Sequence, residues 1–240
     1  MYLLKFENAI RIRLREIFKF DFSIQKKILF IGIPFATEQV FFHGGKIITQ
    51  TFIVQLGTFP MAANAICNSF MSLYQIPAQA LNLSIVTVVG QCIGADDQKG
   101  ARKLIKSFLG MGFLTLAVFA LMIVPVFSFL LSLFSPDPQI VPDIYIICTM
   151  IAIAQPFLWP ISFITPSSLR AAGDSKYTTV VSLISMWSVR VLLGYVLGIV
   201  LHFGLLGVWI AMLIEWGVRG IIFLWRFKGS KWCSHRLIEK

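Results

Sequence analysis

Apolar residues run in six long segments, near 28–56, 60–90, 107–131, 140–166, 178–202 and 204–225, separated by short stretches richer in Gly, Pro, Asp and basic residues. Crossing the roughly 30 Å hydrocarbon core of a bilayer takes about 20 helical residues, so each segment is long enough to span. A backbone in lipid must close its hydrogen bonds internally, which predicts helices rather than isolated strands. Residues 1–22 instead mix Lys and Arg with Leu, Ile and Phe. That is the pattern of a cationic amphipathic helix lying on a membrane surface, too charged to span. The expected architecture is an all-α membrane protein: an amphipathic stretch over 1–22, a six-helix transmembrane bundle over 23–228 and a basic tail over 229–240.

Composition strengthens this reading. Of 240 residues, 57% are hydrophobic and 13% charged, whereas a soluble domain carries about a quarter charged residues. The net charge of +10 would suit a nucleic-acid partner, but the distribution does not. All but three of the 21 Lys and Arg fall in the N-terminal stretch through Lys27, in the second loop (Lys99, Arg102, Lys103, Lys106), in the fourth (Arg170, Lys176) and in the tail from Arg226 onward. The first, third and fifth loops, around Gly57–Pro60, Ser132–Pro138 and His202–Gly204, contain none. By the positive-inside rule both termini are expected in the cytoplasm, which an even number of spans permits. No nucleic-acid face is expected. Cys67, Cys92, Cys148 and Cys233 form no CxxC pair and no metal-ligand spacing, and they read as membrane thiols rather than a disulfide framework.

The polar residues inside the spans are the costly ones. In the first span Gln39, His43, Lys46 and Gln50 follow i, i+4, i+7, i+11 spacing, with Glu38 beside them, so they share one helical face. In the second, Asn64, Asn68, Ser72, Gln75, Gln79 and Asn82 form a similar stripe around Pro77. Amides and hydroxyls can simply bond neighbouring helices, but six in register beside a charged face favour a polar cavity wall. Arg190 and Glu215 lie near the middles of the last two spans, which a short loop makes antiparallel neighbours. They are expected to form a structural ion pair, with Arg219 one turn beyond. Gly90 with Gly94 and Gly194 with Gly198 have GxxxG spacing, which allows close helix approach. No GxSx nucleophile motif, intramembrane aspartate pair, GxxxxGK[ST], HExxH or GxGxxG is present, so no enzymatic constellation stands out.

Four fragments in order, LGTFPMAANAI (56–66), GQCIGADDQKGAR (90–102), LRAAGDSKYT (169–178) and GLLGVWIAMLIEW (204–216), resemble the MATE family of multidrug and toxic compound extrusion transporters. The resemblance covers roughly residues 20–230. That family builds two six-helix lobes related by a pseudo-two-fold along the membrane normal, and SMWSVR (185–190) with the basic tail resembles the C-terminal lobe. The resemblance makes residues 1–22 a cytoplasmic connector between lobes. It implies a cation-coupled antiporter lobe exporting organic cations or drugs across the plasma membrane, with H⁺ or Na⁺ as coupling ion and no other cofactor. Glu38 matches a carboxylate that relatives carry near the start of this lobe. A companion aspartate of the fourth span has no counterpart, since Asp143 lies near that span's outer end. Proton coupling through Glu38, aided by His43, is the alternative to a sodium site. Gln39, Lys46, Gln50, Asn64, Asn68, Ser72, Gln75 and Gln79 would line the substrate cavity. The implied partners are an amphipathic small molecule, the lipid bilayer, and a first-lobe chain or a second copy of this one. A lipid-linked oligosaccharide flippase and an inactive fragment of a longer transporter are the competing readings.

Overall fold

A computed structural model describes residues 22–229 and Trp232. The expected connector over 1–22 and the tail beyond Gly229 therefore lie almost wholly outside the described residues, as do several side chains of the first helix, Glu38 among them. The chain divides into two units, 1–41 and 42–240. In the first, residues 22–41 are helical, with Phe22, Leu29, Ile33 and Val40 exposed.

Six long helices account for the described secondary structure, with no strand among the described residues. They are α1 (Phe22–Gln55), α2 (Thr58–Gly94), α3 (Gln98–Ser132), α4 (Val141–Ala171), α5 (Ser175–Val200) and α6 (Gly204–Lys228). All but α1 are long and apolar enough by themselves to cross a membrane; α1 is the helix on which the first polar stripe lies.

Most helices overrun the apolar segments. The second connection shrinks to Ala95–Asp97, and Lys99, Arg102, Lys103 and Lys106 ride on the first turns of α3. Asp97 makes that early start possible, because its carboxylate accepts the Gly100 N–H at 2.8 Å and caps the helix. The next basic loop is equally tight. Gly173 takes a left-handed φ of 97° at the turn from α4 to α5, a conformation natural to glycine.

Two large apolar cores and a smaller one, around Tyr74, Ala120, Ile123 and Ala152, fill the 42–240 unit. One, at the end bearing the basic turns, gathers Ile85, Ile105, Trp159, Leu169, Trp216 and Phe223 from α2 to α6. The other gathers Ile53, Phe70, Phe127, Ile147 and Trp209. Cys67 and Cys148 face each other in the second core at 3.9 Å between sulfurs. Large apolar side chains such as Leu121, Phe129, Ile153 and Ile221 are exposed on the bundle's outside, as a surface solvated by acyl chains requires.

The α5/α6 hairpin is unusually close. A Cβ on Gly207 would stand 2.7 Å from the Leu197 carbonyl, and one on Gly198 would stand 2.8 Å from Val208. Of the two GxxxG spacings, Gly194 and Gly198 thus face the neighbouring helices, whereas Gly90 and Gly94 have no atom within 4 Å of a Cβ position. The basic end of α6 is tied back as well. Arg226 pairs with Asp174 at 2.7 Å, and Arg102 donates to the Gly229 carbonyl at 2.6 Å while lying over the Trp232 ring.

Two helices widen into π turns. In α4 the turn spans Pro160–Ile164; in α5 turns span Ser185–Val191 and Val196–Val200. Pro160 has no N–H to donate within its helix, which loosens the regular ladder there. A π turn inserts an extra residue and rotates the side chains that follow it, a device frequent at functional sites.

Candidate functional site

A cleft of about 310 Å³ opens within the 42–240 unit. Its walls follow helical spacing. From α1 come Lys46, Thr49, Gln50 and Ile53; from α2 come Asn64, Asn68 and Met71. Arg190 enters from the π turn of α5, and Val208, Trp209 and Met212 come from α6. Gly45 lets α1 approach α5, because a Cβ there would stand 2.8 Å from the Met186 side chain.

Asn64 organises one side. Its side-chain N–H donates to Gln50 Oε1 at 3.1 Å, and its Oδ1 accepts the Trp209 indole N–H at 3.2 Å. One buried amide therefore links α1, α2 and α6. Asn68 donates to the Asn64 backbone carbonyl at 2.8 Å, and Thr49 to that of Gly45 at 2.7 Å. Lys46 and Gln50 are exposed; Asn64 and Thr49 are buried.

Behind the Arg190 wall lies a buried ion cluster. Glu215, with 0% of its surface exposed, binds Arg190 Nη2 through Oε2 at 3.0 Å and Arg219 Nη1 through Oε1 at 3.2 Å. The Ser185 hydroxyl, 3.2 Å from the Ser182 carbonyl, also lies 3.5 Å from Glu215 Oε1, and Arg219 Nε donates to Ser162 Oγ at 2.8 Å. Ser162, Ser185 and Arg190 all sit in π turns, so the widened segments of α4 and α5 supply partners to the charges of α6. Arg219 also stacks on the Phe163 ring, 4.7 Å from its centroid. Buried charges of this kind persist only when paired and hydrogen-bonded.

Of the residues expected to line a cavity, Lys46, Gln50, Asn64 and Asn68 meet in the cleft. Ser72 and Gln79 are exposed, Gln75 is half-buried, and none of the three is in the lining. Gln39 belongs to the 1–41 unit and is half-buried. His43 is exposed, its ring edge-on to Phe42 with 6.5 Å between centroids. Glu38 lies on α1, with its side chain outside the described residues. Arg190 and Glu215 form an ion pair, but Arg190 also lines the cleft. Sequence reasoning did not single out Thr49, Met71, Trp209 or Met212. For Thr49 and Met71 the available signal was their place beside the polar stripes: Thr49 precedes Gln50, and Met71 lies i+3 from Asn68.

The family model MatE matches residues 34–196. The uncharacterised transporter YisQ of Bacillus subtilis is 28% identical over 93% of this chain and 49% of its own length. A protein of Thermotoga maritima described as the probable multidrug resistance protein NorM is 27% identical over 91% of this chain and 47% of its own. Among solved structures, the MATE transporter ClbM in complex with Rb⁺ superposes with a TM-score of 0.77 at 22% identity, covering 89% of this chain and 50% of ClbM. The chain thus spans about half the length of the relatives it matches.

Proposed function

The chain belongs to the MatE family, and from that premise we propose that it is the C-terminal six-helix lobe of a cation-coupled exporter of amphipathic compounds. The observation that carries this reading is the cleft: side chains of α1, α2, α5 and α6, polar and charged ones among them, converge on one space inside a bundle whose outer face is apolar. Polar groups are expensive at membrane depth and are kept where they serve a pathway. The names of the relatives favour drug efflux over the flippase reading. In this proposal Glu38, aided by His43, takes up the coupling ion, H⁺ or Na⁺, and the charge change biases the lobe between two states. The basic turns face the cytoplasm under the positive-inside rule, with the plasma membrane as the site of export.

The test is export of an amphipathic dye from inverted vesicles under an imposed proton or sodium gradient. The assay includes the companion lobe, whether that is a second chain or a second copy. Glu38→Gln is expected to abolish gradient-driven export while leaving the chain's amount in the membrane unchanged. Export at the original rate would remove Glu38 from the coupling role.

A further inference from the structure

The four basic residues at the start of α3 are of two kinds. Arg102 turns toward the end of α6, donating to the carbonyls of Phe227 and Gly229 at 3.4 and 2.6 Å and lying over the Trp232 ring. Packing accounts for it. Lys99, Lys103 and Lys106 are exposed, and none of them forms an ion pair or a side-chain hydrogen bond among the described residues. They step by four and three, so they share one face of the helix. The same spacing carries that face on through Gly110, Leu114, Ala117, Leu121 and Val124. Leu114, Leu121 and Val124 are exposed, while Ala101, Ile105, Phe108, Gly112 and Leu116 are buried on the other side of α3. One continuous face thus leads from three ammonium groups into an apolar surface. Gly110 leaves a gap in it: a Cβ there would meet no atom within 4 Å. From Lys106 to Leu114, about 12 Å along the axis, no side chain stands on this line.

We propose that this face binds an anionic phospholipid, with the headgroup phosphate between the Lys103 and Lys106 ammonium groups and one acyl chain over Gly110 against Leu114 and Leu121. Charge complementarity names the occupant. Side chains lean toward a helix's N-terminus, so these lysines lean away from the hydrocarbon and into the headgroup layer, their stems lying along the apolar surface. Each lysine so placed attracts an anionic lipid by about 1 kcal/mol. Neither the 1–41 unit nor the tail reverses the sign of the charge: residues 1–41 carry seven Lys and Arg against four Asp and Glu, and residues 230–240 carry three against one. A soluble phosphate would meet the lysines but leave the apolar half of the face unused. A zwitterionic phospholipid would cover that half but bring its own cation to the lysines. The inference goes beyond the export reading and does not depend on it, since it needs only that α3 spans a bilayer.

The experiment measures lipid binding to the full chain in detergent by native mass spectrometry, with dioleoylphosphatidylglycerol and dioleoylphosphatidylcholine as probes of matched acyl chains. Phosphatidylglycerol is expected to bind more tightly by about tenfold or more, and Lys103→Gln with Lys106→Gln should remove most of that preference, about fivefold per lysine. Lys176→Gln with Lys228→Gln lowers the net charge equally at other exposed positions and should leave the preference unchanged. Gly110→Leu places a side chain where the acyl chain would lie and should weaken phosphatidylglycerol binding. Inorganic phosphate in excess should not displace the lipid. All four lysines are exposed and glutamine keeps helix propensity, so the variants fold, and an unaltered circular dichroism spectrum checks this. Equal binding of the two lipids would overturn the proposal. So would equal losses in the two double variants, which mark diffuse attraction to the whole basic end. Indifference to Gly110→Leu, or displacement by inorganic phosphate, would overturn the seat of the acyl chain and with it the lipid as occupant.

Discussion

Glu215 joins guanidinium groups of α5 and α6, and its charge is what both of them require. Neutralising it keeps the shape but removes the carboxylate charge that Arg190 and Arg219 share in a buried setting. Breaking a buried pair by removing one partner costs about 3–5 kcal/mol. Glu215→Gln is therefore expected to lower the thermal stability of the detergent-solubilised chain by that order. The loss would be read as an earlier fall of the monodisperse peak in size-exclusion chromatography after heating; an unchanged profile would mean that the cluster is not structural. The pairing of Arg190 with Glu215 was legible in the sequence, since a short loop and two mid-helix positions leave few alternatives. The serines that complete it were not. Ser162 and Ser185 sit in π turns, where the extra residue shifts the helical azimuth away from a 3.6-residue count. Trp209 and Met212 were invisible for another reason: an apolar residue in an apolar span carries no mark of the cleft it faces.

At the scale of helices, hydropathy and charge located the six long helices of the described residues, but they misjudged where helices end. Transfer into lipid sets the apolar segment, whereas caps and backbone hydrogen bonds set the helix, which is why α3 begins nine residues before its apolar run. The polar stripe of α2 shows the same distinction. Its azimuth is regular from Asn64 to Asn82, yet the cleft takes only Asn64 and Asn68 and closes at Met71; periodicity specifies a face and not the height of a cavity along it. Glycine spacing is similarly ambiguous until neighbours are known. Gly207→Ala would drive a methyl into the Leu197 carbonyl, and forcing the α5/α6 hairpin apart is expected to cost about 1–3 kcal/mol. Gly90→Ala meets no atom within 4 Å and should be neutral or stabilising by up to about 1 kcal/mol through helix propensity. Parallel thermal-stability measurements on the two variants check both signs, and equal effects would contradict the close approach of α5 to α6.

For the whole molecule, the exposure of Lys46 and Gln50 is the physical argument for a second lobe. An ammonium and an amide left against hydrocarbon cost several kcal/mol, so this face of α1 must meet water or protein rather than lipid. Water alone in a membrane needs a wall on its far side, and a single six-helix bundle offers that wall on one side only. Relatives about twice as long as this chain fit that need, because two such bundles could enclose the space between them. In a parallel arrangement both bundles share one orientation in the membrane, so two copies could pack about a true two-fold axis. Crosslinking in native membranes, followed by mass measurement, is expected to yield a species joining this chain to a second six-helix lobe, either another copy or a separate polypeptide. A cysteine placed at Gln50 should join that species and then lose it when an amphipathic compound fills the cleft. Monomers alone at every crosslinker length would mean that lipid or bound solvent covers the cleft, and a transport role for the isolated lobe would then lose its physical basis.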